Sequence, residues 1–397
     1  MATLVPDAPL CETDDSRPQR SLARAASVQA LTAAGQWAVL VTCQTQAVYR
    51  LGQGAGYLTL LTACGTAPLL ASRLLGRACD RYGPVRLGVA ASLTSTVLAV
   101  VAACTVRGPA SLLVIAATVA VVRALAQAAA DTLPSWLPDI ESAAKSSIWM
   151  ALSQAGPMIV GPSLAASLTV SAGPHVALLA TGLLAAVAAV VLATTTTQRP
   201  EESDGSSRAP LGATARRVLA ASAVTVTTYA VLEALQPLYL HSIDHAPAWA
   251  LAVNDSIEGV CSVVAGLALN RRPALVDRPS ALPVGLVAVA VGEVLVVATP
   301  SAAVSAVGSA AWGAAVALLS SAARVRLLGS VPKDQHGSAM GTLRSLWGLA
   351  SLVSAAAIGP LSAAIGPQAV VAVLAALLAA STLLVLRTPH ATESEMK

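Results

Sequence analysis

The chain has 397 residues, of which 55% are hydrophobic and 11% charged, with a mean hydropathy of +0.71 and a formal net charge of +4. Soluble domains carry about 25% charged residues, so an outer surface made mainly for water is excluded and most of it is expected to face lipid. The basic residues stand at the ends of apolar runs and not along one face, which excludes nucleic acid as the partner behind the positive charge.

Residues 1–22 are polar and of mixed charge, with Asp7, Glu12, Asp14, Asp15, Arg17 and Arg20. They contain no apolar segment leading to a small-residue cleavage site, so they read as a cytoplasmic N-terminal tail and not as a secretory signal. Apolar runs bounded by Gly, Pro or charge follow at 26–48, 55–75, 85–106, 110–130, 147–170, 174–196, 217–240, 248–269, 281–299, 302–323, 338–359 and 367–386. A helix of about 20 apolar residues crosses a bilayer, so these predict twelve spans. Several are Ala-rich and only moderately hydrophobic, which suits helices that pack closely in a bundle. With the N-terminus inside, 20 Lys and Arg fall in cytoplasmic segments and two, Arg50 and Arg107, fall outside. That bias fixes the expected orientation.

Between spans two and three lies Gly76-Arg77-Ala78-Cys79-Asp80-Arg81-Tyr82-Gly83-Pro84-Val85-Arg86. It reads as a short charged turn, because Gly83-Pro84 cannot continue a helix. A weaker copy, Gly266-Leu267-Ala268-Leu269-Asn270-Arg271-Arg272, stands 190 residues later, with Asn270 in the place of Asp80. Pro138 before span five and Pro332 before span eleven repeat at an offset of 194. The polar stretch at the midpoint reads as a flexible linker. The expected organisation is a six-helix half at 23–196, a cytoplasmic linker at 197–216, a second six-helix half at 217–386 and a cytoplasmic tail at 387–397.

Polar residues inside the spans are the functional candidates, because charge within a bilayer is costly. Span four carries Arg123, Gln127 and Asp131 at i, i+4 and i+8, on one helix face. Span five carries two Gly-Pro steps, Gly156-Pro157 and Gly161-Pro162, expected to bend it and to free backbone carbonyls. Span seven holds Thr225, Thr227, Thr228, Tyr229 and Glu233. Glu233 suits a group that gains and loses protons, or else stands near the outer end of its span beside Pro237 and His241. Asp255 and Glu258 lie one turn apart on span eight. Glu293 on span nine, with Asp255 and Glu258, is a further candidate for the proton-binding group; otherwise it pairs with an arginine or faces the membrane interface. Arg344 and Trp347 lie near the start of span eleven, where Arg344 belongs either to the cavity or to a gate. The six cysteines show no metal or disulfide spacing, and the histidines are dispersed.

The residues Gly76, Asp80, Arg81, Gly83 and Arg86, with the copy at Gly266–Arg272, resemble the major facilitator superfamily. The likeness extends to the twelve helices, the central loop and the cytoplasmic N-terminus, although Pro84-Val85 stands where that family has basic residues. The Gly-Pro steps of span five resemble its drug:proton antiporter branch, with Ala165-Ala166 in place of the usual paired glycines. The resemblance implies an all-α membrane protein of twelve helices in two six-helix pseudo-symmetric halves. It implies a latch in which Asp80 faces the start of span eleven, near Gly337–Gly341, while Arg81 or Arg86 reaches Asp131. Arg123 matches an arginine linked to proton coupling in exporters, and Glu233 and Glu258 are the further proton-coupling candidates. Spans one, four, seven and ten would line the cavity, offering Gln36, Trp37, Gln127, Tyr229 and Trp312 to a substrate.

The expected function is a secondary transporter that exports a small amphipathic molecule by proton antiport with alternating access. The alternative is a proton-coupled importer of a sugar, amino acid or organic acid. No G-x-x-x-x-G-K-[ST] sequence is present for ATP drive, no cofactor or metal is implied, and no enzymatic cluster of His, Asp or Glu has a recognisable spacing. The expected partners are the bilayer, protons and a small-molecule substrate; the expected state is a monomer in the cell membrane.

Overall fold

A computed structural model describes residues 16–137, 143–198, 213–242, 249–297 and 301–386. The described residues are helical throughout, apart from short turns. The first half contains α1 (Ser16–Thr45), α2 (Ala55–Thr66), α3 (Ser72–Tyr82), α4 (Pro84–Thr105), α5 (Pro109–Thr132), α6 (Ala143–Ser171) and α7 (Pro174–Ala193). The second contains α8 (Ala213–Ser242), α9 (Trp249–Arg271), the short α10 (Ala274–Asp277), α11 (Ala281–Val297), α12 (Ala302–Gly329), α13 (His336–Ile365) and α14 (Pro367–Leu386). Helices α2 and α3 form one rod, so each half has six long rods. The N-terminal 15 residues, the stretch 199–212 of the expected linker and the C-terminal tail lie outside the described residues.

Local chemistry sets the ends of these rods. Gly83, Gly173 and Gly366 adopt φ of +91°, +90° and +82°, and each is followed by a proline that opens the next helix at α4, α7 and α14. Glycine reverses the chain in the left-handed region, and proline is pre-set for the first helical position. Gly173 and Gly366 are 193 residues apart, in step with the repeat. The same dipeptide behaves differently inside a rod. The α6 helix runs continuously across Gly156-Pro157 and Gly161-Pro162, although each proline still withholds a backbone donor from the carbonyl one turn earlier. The Gly76–Arg86 segment is less of a loop than its sequence reads. Helix α3 continues to Tyr82, and Gly83 alone makes the turn. At the other end, α1 begins at Ser16, inside the stretch read as a tail.

Large aliphatic side chains such as Val97, Val114, Leu183, Val190, Val264 and Val307 point outward, while many of the buried positions are alanine. Among the described residues, five segments are by themselves long and apolar enough to cross a membrane: Gly56–Tyr82, Pro84–Thr105, Pro109–Trp136, Pro174–Ala193 and Ala303–Gly329. The halves meet through two related pairs, α2/α3 with α13 and α6 with α9. Small residues allow both. A Cβ on Gly259 of α9 would stand 3.0 Å from the Ile159 backbone nitrogen of α6, and one on Gly348 of α13 would stand 2.7 Å from Leu69 Cβ in the α2–α3 rod.

Candidate functional site: an ionic tie between the halves

At the motif-bearing end of the bundle, α3 lies directly on the start of α13. A Cβ on Gly76 would come within 2.1 Å of the Gly337 carbonyl oxygen, and one on Gly341 within 2.4 Å of the Ser72 carbonyl oxygen. Glycine at these positions is what lets the two backbones touch. One turn beyond Gly76, the Asp80 carboxylate accepts the backbone N–H of Gly337 at 3.1 Å and of Ser338 at 2.9 Å. These are first-turn N–H groups of α13, which have no partner within their own helix. A carboxylate there gains from the helix dipole by up to about 2 kcal/mol when partly buried.

A second contact repairs a defect in the α2–α3 rod. Pro68 removes a backbone donor, and Ala67–Ala71 forms a 3-10 turn between the two α-helices. Ser345 of α13 covers that break. Its hydroxyl donates to the Leu70 carbonyl at 3.0 Å and accepts the Arg73 N–H at 3.0 Å.

Deeper in the bundle, Asp131 at the end of α5 is held by two arginines of the other half. Arg324 of α12 donates to Asp131 Oδ1 at 3.2 Å and to the Asp131 carbonyl at 3.3 Å. Arg344 of α13 donates through Nε to Asp131 Oδ2 at 3.1 Å, and its guanidinium lies 4.5 Å from the Trp347 ring centroid. The Asp131 side chain is 1% exposed and those of Arg324 and Arg344 are 8% and 12%. The expected partners Arg81 and Arg86 do not fill this role. Arg81 lies exposed over the ring of Tyr82 at 5.3 Å, and Arg86 is exposed on the first turn of α4. Both sit at the helix ends where water reaches them, whereas Asp131 points into the seam between halves. Arg324 was visible in the sequence only as one more basic residue. Its position is 193 residues after Asp131, so the repeat itself relates the two members of the pair.

The remaining candidates are spread over several places. Gln36 and Arg123 share a crevice within the first half, also lined by Thr32, Ser92, Ser95 and Thr181. Trp37 instead packs toward Gly161 on α6. Gln127 is buried one turn before Asp131. Tyr229 and Trp312 are brought together as a stacked pair with centroids 4.9 Å apart and planes 18° from parallel, inside the core of the second half. Glu258 lies on α9 where Gly313 of α12 comes closest; a Cβ on Gly313 would be 2.2 Å from the Glu258 carbonyl oxygen. Gly156 has open space beside it. The side chains of Glu233 and Pro162 lie outside the described residues. Glu293 neither pairs with an arginine nor faces an interface; it is 1% exposed, between α8, α11 and α12.

A helical bundle of two related halves, joined at one end by breakable polar ties, is the architecture of a transporter that rocks about its middle. The Major Facilitator Superfamily profile matches residues 25–270, and the chain belongs to that family. It is a multi-pass membrane transporter. Its fold is similar to the human organic anion transporter MFSD10 (TETRAN), with a TM-score of 0.73, 16% identity, and coverage of 93% of this chain and 99% of that one. It is also similar to the nucleoside transporter NupG (D323A mutant), with a TM-score of 0.61, 14% identity, and coverage of 93% and 100%. No curated protein sequence matches the chain.

Proposed function

We propose that the chain exports a small amphipathic molecule across the cell membrane by proton antiport, with both termini cytoplasmic. The observation that carries the alternating-access part is the paired tie between halves, Asp80 on the α13 N-terminus and Asp131 between Arg324 and Arg344. On this reading it closes the cytoplasmic side and must break for that side to open. Breaking it exposes a carboxylate and two guanidinium groups to water, which solvates them in compensation. The exposed pair of states therefore differs by little, as a cycling gate requires.

Support for proton coupling comes from Arg123 beside Gln36 in a polar-lined crevice, with Glu233 and Glu258 as further proton-coupling groups. Support for export is the resemblance of span five to the antiporter branch. The test is the susceptibility of an efflux-deficient bacterial host to a broad panel of drugs and metabolites. The host carries either the wild type or Asp80→Asn, with membrane insertion verified for both. Resistance that needs Asp80 is expected. Accumulation of a substrate only in right-side-out vesicles, and not in inside-out vesicles with an acidified lumen, overturns export in favour of proton-coupled import.

A further inference from the structure

A carboxylate lies buried in the second half, away from the tie between halves. Glu293 of α11 is 1% exposed, and both of its oxygens lack a hydrogen-bond partner among the described residues. It faces Thr228 of α8 and Trp312 of α12. The Thr228 hydroxyl already donates to the Thr225 carbonyl at 2.8 Å. The Trp312 indole N–H is buried without a partner, and its ring is held flat against Tyr229. A buried acceptor and a buried donor thus stand beside one another unbonded.

The charged groups of the surrounding helices do not compensate the carboxylate. On α12, Arg324 and Arg326 follow Trp312 by 12 and 14 residues, about 18 and 21 Å along the axis. Asp277 belongs to the separate short helix α10, before α11 begins at Ala281 about three turns ahead of Glu293. Helix α14 carries no titratable side chain between Pro367 and Leu386. On α8 the titratable neighbours in sequence are Tyr229, which backs Trp312, and Glu233, whose side chain is outside the described residues. An ionised carboxylate without a cation beside it is among the costliest groups to hold inside a bilayer-embedded bundle.

The site is also too tight for a larger ligand. A Cβ on Gly292 would lie 2.7 Å from the Trp312 backbone nitrogen, and one on Gly308 would lie 2.5 Å from that of Val296. Helices α11 and α12 are therefore in backbone contact at the level of Glu293.

We propose that Glu293 is a protonation site of the transporter, walled by Thr228, Tyr229 and Trp312, whose ligand is a single proton taken from water. Binding forms one O–H bond on the carboxyl and removes one negative charge. Release restores the carboxylate, which then draws the free Trp312 N–H into a charge-assisted bond. Trp312 and Arg324 lie on the same helix, so that shift is passed along α12 to the arginine that holds Asp131. The inference rests on the proton-coupled reading only for the use made of the proton, not for its binding.

The test is pH-difference infrared spectroscopy of the purified full chain in lipid, comparing wild type, Glu293→Gln and Trp312→Phe. A protonated-carboxyl band that titrates in the wild type, is lost in Glu293→Gln and moves in Trp312→Phe is the expected result. Identical titration in wild type and Glu293→Gln overturns the proposal. If Glu293→Gln does not fold, an unmoved band in Trp312→Phe overturns it equally. The susceptibility panel separates the two readings. A wild type that confers resistance but shows no titrating band removes the Glu293 site alone, and a titrating band without resistance to any compound removes proton-driven export alone.

Discussion

The Gly76–Arg86 segment and its copy at Gly266–Arg272 share a pattern but make different contacts. At the first, the obstacle to a larger residue is backbone: a Cβ on Gly76 would lie 2.1 Å from the Gly337 carbonyl. At the second it is a side chain, since a Cβ on Gly266 would lie 2.5 Å from Leu152 Cδ2. Asp80 reaches across to α13 in the other half, whereas the segment after Asn270 is tied inside its own half. There Arg326 donates to the carbonyls of Arg278 at 2.7 Å and Pro279 at 3.2 Å. The first turn is a single glycine, and the second is an excursion through α10. Duplication supplied two similar frames, and a carboxylate against a rigid backbone contact turned one of them into a tie that forms or breaks as a unit.

The comparison is broken most forcefully one layer deeper. Asp131→Asn leaves Arg324 and Arg344 buried without a counter-charge, a loss of about 3–5 kcal/mol. Thermal unfolding of the purified protein should fall well below wild type, and cysteines placed at 73 and 345 should crosslink poorly. Gly76→Ala forces the backbones of α3 and α13 apart at a cost of about 1–3 kcal/mol, the range for overpacking. Gly266→Ala should cost less, because Leu152 can turn away. Equal melting temperatures for these two variants would remove the distinction between rigid and adaptable contacts.

Asp80→Asn keeps the shape of the cap but loses its charge, which is worth up to about 2 kcal/mol at a partly buried helix end. Transport should drop, while Asn270→Asp should leave stability within about 0.5 kcal/mol, as for changes away from such features. The smallest effect is expected from Ser345→Ala. It removes two partly exposed bonds whose net worth is about 1 kcal/mol each or less, and weaker crosslinking between the halves would report it.

Much of the fold was legible because its signals are local. Apolar length marked the rods, Gly-Pro steps marked three of the turns, and the 190-to-194-residue offset marked the halves. The same locality misled at the Gly76–Arg86 segment, where α3 runs on to Tyr82. A Gly-Pro step reads alike whether neighbours hold the helix together or the chain reverses, and packing decides which. The contact of Asp80 with the start of span eleven was legible through the family resemblance, which carries that pairing with the motif. The partners of Asp131 were not, because which of the many basic residues of the other half meets it depends on how α12 and α13 are rotated against α5.

Composition, charge placement and internal repetition in the sequence alone determined that this protein is a duplicated helical bundle in a membrane, with a carboxylate at the turn between spans two and three. Each depends on residue type and near neighbours, and so survives without coordinates. Only the tertiary structure decided that repeat-related Asp131 and Arg324 face each other, that Tyr229 stacks on Trp312, and that Glu293 is enclosed. Those facts depend on which helices converge at one depth and how they are rotated. In a bundle whose helices are apolar on nearly every side, the pattern along a single helix says little about either.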